Sequence, residues 1–266
     1  MRLCSIASGS SGNCIYVGGQ DTHVLVDVGI SCKRIEEGLK KAELTGKDIA
    51  GIFITHEHSD HIQGLGVIAR KYAIPIYATR GTIEGIQKGS KNLGTYDTGL
   101  FREVDVDQDL QVGDLTVHPF HISHDANEPC GYRFECDGSK AAVATDMGTF
   151  NSYIIENLQG LDAILLEANH DVHMLQVGPY TYPLKQRILS DRGHLSNDNS
   201  GILLSRILHD RMKYILLGHL SLENNMPELA YETVKLEINA SQVPYRAEQF
   251  YLRVASRSEA GDVLEF

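Results

Sequence analysis

The chain has 266 residues, 42% of them hydrophobic and 22% charged, with a formal net charge of -11. No apolar stretch approaches the roughly 18 to 20 residues that span a bilayer, and Ser8-Gly9-Ser10-Ser11 interrupts the N-terminus before a secretory-type apolar region of about 7 to 15 residues can form. The acidic balance excludes a surface that coats nucleic acid with basic charge throughout, so a polyanion site must be built locally.

Runs rich in β-branched residues predict strands at 14–17, 23–28, 49–54, 74–77, 115–120, 131–135, 141–144, 163–166, 214–217 and 251–254. Helical spacing, often behind a Ser, Thr or Asn able to cap, predicts helices at 31–41, 61–72, 81–88, 150–158, 184–190, 199–211 and 225–238. The early strands follow one another as in a meander and the later ones alternate with helices, which implies a layered α/β fold with mixed sheets. No Pro/Gly/Ser-rich linker divides the chain, so residues 1–266 read as a single domain. The polar stretch from Lys88 to Asp114 reads as a surface loop with one edge strand. Five cysteines without a Cys-x-x-Cys pair read as buried, reduced thiols of a cytoplasmic protein.

Chemistry concentrates in Ile54-Thr-His-Glu-His-Ser-Asp-His61, directly behind an apolar run. Residues 56 and 58 share one side of an extended chain, while Asp60 and His61 swing to a second pocket as the chain turns. Two adjacent ligand sets follow, in nitrogen and oxygen donors that suit zinc or manganese. Three further donors stand at the ends of predicted strands: His124 in HPFHISHDA, Asp146 in VATDMG and His219 in YILLGH. Functional groups in open α/β sheets collect beyond strand carboxyl ends, so these placements agree. His118 and His121 compete with His124 for one position. His23 and His209 read as satisfied structural histidines.

The pattern His-x-His-x-Asp-His with these strand-end donors resembles the metallo-β-lactamase-fold hydrolases over essentially the full length. The resemblance implies a four-layer αββα sandwich with two mixed sheets and a site at one edge. It implies that His56, His58 and His124 hold one divalent ion, that Asp60, His61 and His219 hold a second, and that Asp146 bridges them, with zinc or manganese as the metals and iron or nickel acquired in a preparation. Asp27 in LVDVG would support the site by hydrogen bonding. A hydroxide between the ions would attack the substrate, because metal binding lowers the pKa of water from about 15.7 to about 7.

Substrate is a separate question, since the superfamily cleaves lactams, thioesters and phosphodiesters. SGSSGN at 8–13, with Ser10, Ser11 and Asn13, is a small-residue loop whose N–H and hydroxyl groups suit a phosphate oxygen. Together with LEANHDVHML, GPYTYPLKQRILSDRGHLSN and HLSLENN, it resembles the YycJ/VicX (WalJ-like) subgroup, which is linked to DNA exonuclease activity. That resemblance puts His194, Ser196 and Asn197 of GHLSN at the site mouth, with His194 donating a proton to the leaving oxygen or binding phosphate. Asn169, His170 and His173 would lie around the site or on the surface. Lys185, Arg187, Arg192, Arg206, Arg211 and Lys213 read as a basic strip able to track a backbone. The expected function is a two-metal DNA exonuclease. A small-molecule hydrolase on the same fold, such as a cyclic phosphodiesterase or thioesterase, is the alternative.

Overall fold

A computed structural model describes residues 1–89 and 92–266. The expected loop at 88–114 includes Ser90 and Lys91, which lie outside the described residues. The first sheet contains β1 (Arg2–Ala7), β2 (Cys14–Gly18), β3 (His23–Val26), β4 (Ile49–Phe53), β5 (Ile76–Ala78) and β6 (Phe101–Glu103) in chain order, with β14 (Leu264–Glu265) on the outer side of β1. The second runs β7 (Leu110–Val112), β8 (Leu115–His121), β9 (Cys130–Cys136), β10 (Ser139–Ala144), β11 (Ala163–Glu167), β12 (Tyr214–Gly218) and β13 (Tyr251–Val254), again in order. Each sheet begins antiparallel and turns parallel, at β3 to β4 in one and at β10 to β11 in the other.

Helices cover both outer faces. On the first sheet lie α1 (Cys32–Leu39), α3 (Leu65–Tyr72) and α4 (Arg80–Gly89), with the short α2 (Ser59–Ile62) leading into α3. On the second lie α5 (Ser152–Asn157), α8 (Asn197–Ile207) and α9 (Pro227–Ala240). The chain from β11 to α8 also carries α6 (Val172–Val177) and α7 (Tyr182–Ile188). This is the expected αββα layering.

Period-two alternation explains why strands with apolar residues at every position are stable here. In β11, Ala163 and Leu165 face the other sheet while Ile164 and Leu166 face the helices, so all four are buried. The inter-sheet layer centres on Phe53, stacked on Tyr77 at 4.7 Å and edge-on to Tyr132 and Phe134 at 5.2 and 5.7 Å. The Tyr132 hydroxyl donates to the Ile54 carbonyl at 2.8 Å, and the Cys130 N–H donates to the Thr55 carbonyl at 3.0 Å. These two bonds lock the second sheet to the first directly beneath His56.

All ten expected strands exist, and among the described residues β1, β14 and one of the pair β6 and β7 escape the sequence reading. The region after Lys88 supplies two edge strands rather than one, β6 and β7, one for each sheet. The expected helix 61–72 is broken between α2 and α3. Gly64 is pressed against the 28–30 segment so closely that a Cβ would lie 2.1 Å from the Ile30 carbonyl oxygen, and its N–H donates to the Val28 carbonyl. The expected helix 199–211 starts earlier, at Asn197, and ends at Ile207, so His209 lies beyond it. There His209 Nε2 donates to the Leu161 carbonyl, and His23 is bonded to the Tyr16 hydroxyl: both are satisfied as expected.

Asp114, in the turn between β7 and β8, accepts from the backbone N–H groups of Gln20, Asp21 and Thr22 and so fastens the β2–β3 turn of the other sheet. Partial burial works against its charge, but these bonds hold its carboxyl well below the usual carboxylate range. A depressed folded-state pKa stabilises at pH values above the unfolded one, and the contribution disappears as pH falls toward the folded value. Asp114→Asn should therefore lower stability by about 1 kcal/mol at pH 7 and by clearly less at pH 3, measured by urea unfolding at both.

Candidate metal centre

The site forms where strands of both sheets end. Asp27 follows β3, residues 55–61 follow β4, His124 follows β8, Asp146 follows β10, Glu167 closes β11 and His219 follows β12. Three of these, Asp27, Asp146 and His219, have φ of 59°, 61° and 54°. This left-handed conformation costs a non-glycine residue about 1 to 3 kcal/mol, and it turns the chain sharply as each strand ends.

Six imidazoles and four carboxylates meet here. His56, His61, His124 and His219 are at most 3% exposed, as are Asp27, Asp146 and Glu167. His56 Nε2 lies 3.0 Å from His58 Nδ1, and His124 Nε2 lies 3.3 Å from the same atom. Ligand nitrogens about 2.0 to 2.1 Å from a tetrahedral zinc are separated by roughly 3.3 Å, so these three are already at coordination spacing. His61 Nε2 stands 3.5 Å from Asp60 Oδ2 and 3.3 Å from Asp146 Oδ2, and His219 Nε2 stands 3.3 Å from Asp146 Oδ1. Asp146 thus touches the second group and, at 3.8 Å from His124 Nε2, reaches the first. Its Oδ2 is buried without a hydrogen bond, as a carboxylate oxygen awaiting a cation would be. The donor set fits divalent metal.

Four of these rings are aimed from behind. His61 Nδ1 is held by Asp27 at 2.7 Å, His56 Nδ1 by the Thr55 hydroxyl at 3.0 Å, His124 Nδ1 by the Gly193 carbonyl at 3.1 Å and His219 Nδ1 by Asn13 Oδ1 at 3.3 Å. A carbonyl only accepts, so His124 Nδ1 donates, leaving the Nε2 lone pair for the site. Burial, reinforced by neighbouring imidazoles, keeps His56 neutral and pushes the His124 pKa down. For His61 burial acts the same way, but Asp27, Asp146 and Asp60 outweigh it and raise its pKa well above the usual range.

His194 is 19% exposed and lies at 2.7 Å from Glu167 Oε1 through its Nδ1. Burial would lower its pKa, but Glu167 and then Asp146 raise it to about 9. Glu167 is the residue the sequence reading missed. Its Oε2 accepts from the Met147 and Leu195 N–H groups, which fixes the carboxylate. The available signal was a charged residue closing the apolar run Ala163-Ile-Leu-Leu, the same signal that marks the aspartates.

Of the three competing histidines, His118 pairs with Asp109, His121 is exposed with its N–H on the Tyr153 hydroxyl, and His124 is the one in the cluster. Ser10 and Ser11 are exposed on the rim of a cavity of ≈ 450 Å³ that includes Asp60, and Ser10 also borders one of ≈ 160 Å³ beside His194. Other expectations for substrate contact need correction. Asn13 is 2% exposed and is spent on His61, His219 and the Gly9 N–H, so it positions the donors. Ser196 caps α8 by accepting from the Asn199 N–H, and Asn197 is fully buried in a reciprocal amide pair with Asn225. Neither faces the mouth, because the chain dives into the core as α8 starts. Asn169 lines the smaller cavity and donates to the His219 carbonyl, His170 is buried with Nε2 unpartnered, and His173 is exposed. The basic strip is not continuous. Arg187 and Arg192 lie beside the site, bonded to Asp125 and to the His124 carbonyl, whereas Lys213 precedes β12 and Arg211 reaches Gly160, at the opposite end of the strands.

Helices outside two facing sheets, with a histidine and aspartate cluster across their common edge, define a metallo-β-lactamase-type hydrolase fold. Residues 22–213 match the beta-lactamase superfamily domain. The chain is 44% identical to exodeoxyribonuclease YycJ of Bacillus anthracis, over 88% of each chain, and 43% identical to exodeoxyribonuclease WalJ of Streptococcus pneumoniae, over 86% of this chain and 85% of that one. Zn2+-bound PqqB of Methylobacterium extorquens, 16% identical, superposes over 100% of both chains with a TM-score of 0.72. The chain belongs to the metallo-β-lactamase superfamily and, within it, to the YycJ/WalJ family.

One close approach makes the geometry testable. Gly29 packs against the turn so tightly that a Cβ there would lie 1.6 Å from the Asp60 carbonyl oxygen, while its N–H donates to the Asn13 carbonyl. Gly29→Ala should displace Asp60, cost about 1 to 3 kcal/mol of stability and reduce bound metal, read by denaturant unfolding and elemental analysis of the same preparation.

Proposed function

We propose that this chain is a divalent-metal-dependent phosphodiesterase that removes nucleotides from DNA ends, an exodeoxyribonuclease of the cytoplasm. The observation that carries this reading is two donor groups on either side of Asp146, which lies 3.3 Å from His61 and His219 and 3.8 Å from His124, set beside His194, whose Nδ1 is 2.7 Å from Glu167 Oε1. In this reading His56, His58 and His124 hold one cation, Asp60, His61 and His219 a second, and Asp146 both. Zinc or manganese matches their mixed nitrogen and oxygen donors. When bound, such ions supply an activated water and offset the negative charge on an attacked phosphate.

The chain's own residues do the rest. Asp27 accepts from His61 Nδ1 and so orients the ring with Nε2 toward the site. Asn13 and the Ser8 hydroxyl fix His219, one through its ring and the other by accepting its backbone N–H at 2.9 Å. The exposed hydroxyls of Ser10 and Ser11 are phosphate contacts. His194, with Nδ1 occupied by Glu167, donates from Nε2 to the departing oxygen, and the pairing keeps that proton available at neutral pH. Two cavities that meet at Ser10 favour a polymer running across the site over a small ester in a closed pocket. The naming of the 44% and 43% identical relatives as exodeoxyribonucleases favours DNA. The five buried, unpaired thiols suit a reducing compartment.

Purified protein supplied with manganese or zinc should release nucleotides from 5′- or 3′-labelled DNA. Intact single- and double-stranded DNA alongside turnover of a small ester would overturn the assignment. Asp146→Ala should abolish both metal retention and cleavage. His194→Ala should retain its metal, by elemental analysis, and lose about 10²- to 10⁴-fold in rate.

A further inference from the structure

Among the described residues seven large apolar side chains are strongly exposed, and five of them, Val177, Tyr182, Leu189, Leu222 and Met226, fall in two short segments, 177–189 and 222–226. Such clustering beside a site is informative where scattered exposure is not. Both segments adjoin the cavity of ≈ 160 Å³ next to His194, which is walled by Leu184 and Ile188 from one side and by Ser221 from the other. They also meet at Asn224: Gly178 sits so near it that a Cβ would meet its Oδ1 at 2.6 Å, and the Asn224 carbonyl accepts from the N–H of Asp171, which caps the helix leading into the first segment.

In helix α7 Leu184 and Ile188 are half-buried against the cavity, whereas Tyr182, and Leu189 at its C-terminal end, are exposed and no core contact explains them. Pro179 and Pro183 fix φ at two positions where the chain enters this helix. Between residues 174 and 193 lie Lys185, Arg187 and Arg192 against Asp191, with Arg187 paired to Asp125 and with Glu223 in the second segment, so charge is balanced across the two segments. What matches a nucleic acid strand is the apolar and aromatic surface itself, set at the mouth of the site, where unpaired bases can stack.

We propose that these five residues form a collar that seats unpaired bases at a DNA end and holds the terminal pairs open above the site. The proposal rests on the nuclease reading given above and adds how a duplex end is engaged. A second copy of the chain would bury the apolar residues equally well but would cover the cavity beside His194 that the nuclease reading gives to substrate.

The test uses the full chain with manganese and the double variant Tyr182→Ala/Leu222→Ser, whose two wild-type side chains are 73% and 62% exposed, so the fold is spared. Nucleotide release is measured on a blunt duplex and on the same duplex with mismatched terminal pairs, with bis(p-nitrophenyl) phosphate as a small-ester control. Wild type should act on both ends at similar rates. The variant should lose about tenfold on the paired end, less than twofold on the mismatched one, and nothing on the small ester. An equal loss on both ends, or no loss on the paired end, would overturn the collar. Unchanged rates with a dimer-to-monomer shift in sedimentation would assign the surface to self-association instead. Wild-type turnover of the small ester with both duplexes intact would remove the nuclease reading and the collar with it.

Discussion

Burying ionisable groups together is the constraint on which this structure turns. Imidazoles and carboxylates that are costly to desolvate one at a time share a dry edge, where each offsets the charge of the next and the outward nitrogens of His56, His61, His124 and His219 all find partners. That arrangement points the remaining atoms inward at one another and leaves Asp146 Oδ2 buried without a hydrogen bond. A set of donors oriented outward and unfinished inward is what a cation requires, and the cost of holding it open is spread over the backbone and core behind it.

The backbone bears much of that cost. Three site residues adopt left-handed conformations, and Gly29 and Gly64 let neighbouring segments come within backbone contact. Beneath them the aromatic layer around Phe53 and the bond from Tyr132 to Ile54 keep the two sheets in fixed register. Rigidity at this edge is therefore a property of the sandwich as a whole, and the loops that present the donors inherit it.

The sequence made the long, doubly buried strands and the His-x-His-x-Asp-His cluster legible, because apolar runs and expensive residues next to them are local signals. The short edge strands were only partly legible: one was expected after Lys88 where β6 and β7 lie, and β14 was missed, since two or three residues pair only where a sheet edge happens to lie. The strand β1 escaped for another reason: Arg2, Cys4 and Ser5 dilute its alternation, although Cys4 and Ser5 are buried. Around the site, residues that finish a strand were readable, and Glu167 could have been. Which polar side chains point inward was not. Asn13 and Asn197 look alike as small polar residues near glycine or serine, yet one holds two histidines and the other closes an amide pair under α8. Only tertiary packing separates those fates.

The bond from the His219 N–H to the Ser8 hydroxyl joins residues 211 positions apart, and the Gly9–Leu220 bridge lies beside it. Contacts of such long sequence separation are slow to form, because chain entropy must be surrendered before they return anything. The reactive edge is thus a late product of folding. A partly synthesised or partly unfolded molecule, however much of either sheet it has built, holds only scattered histidines, so any chemistry is withheld until the whole sandwich has closed.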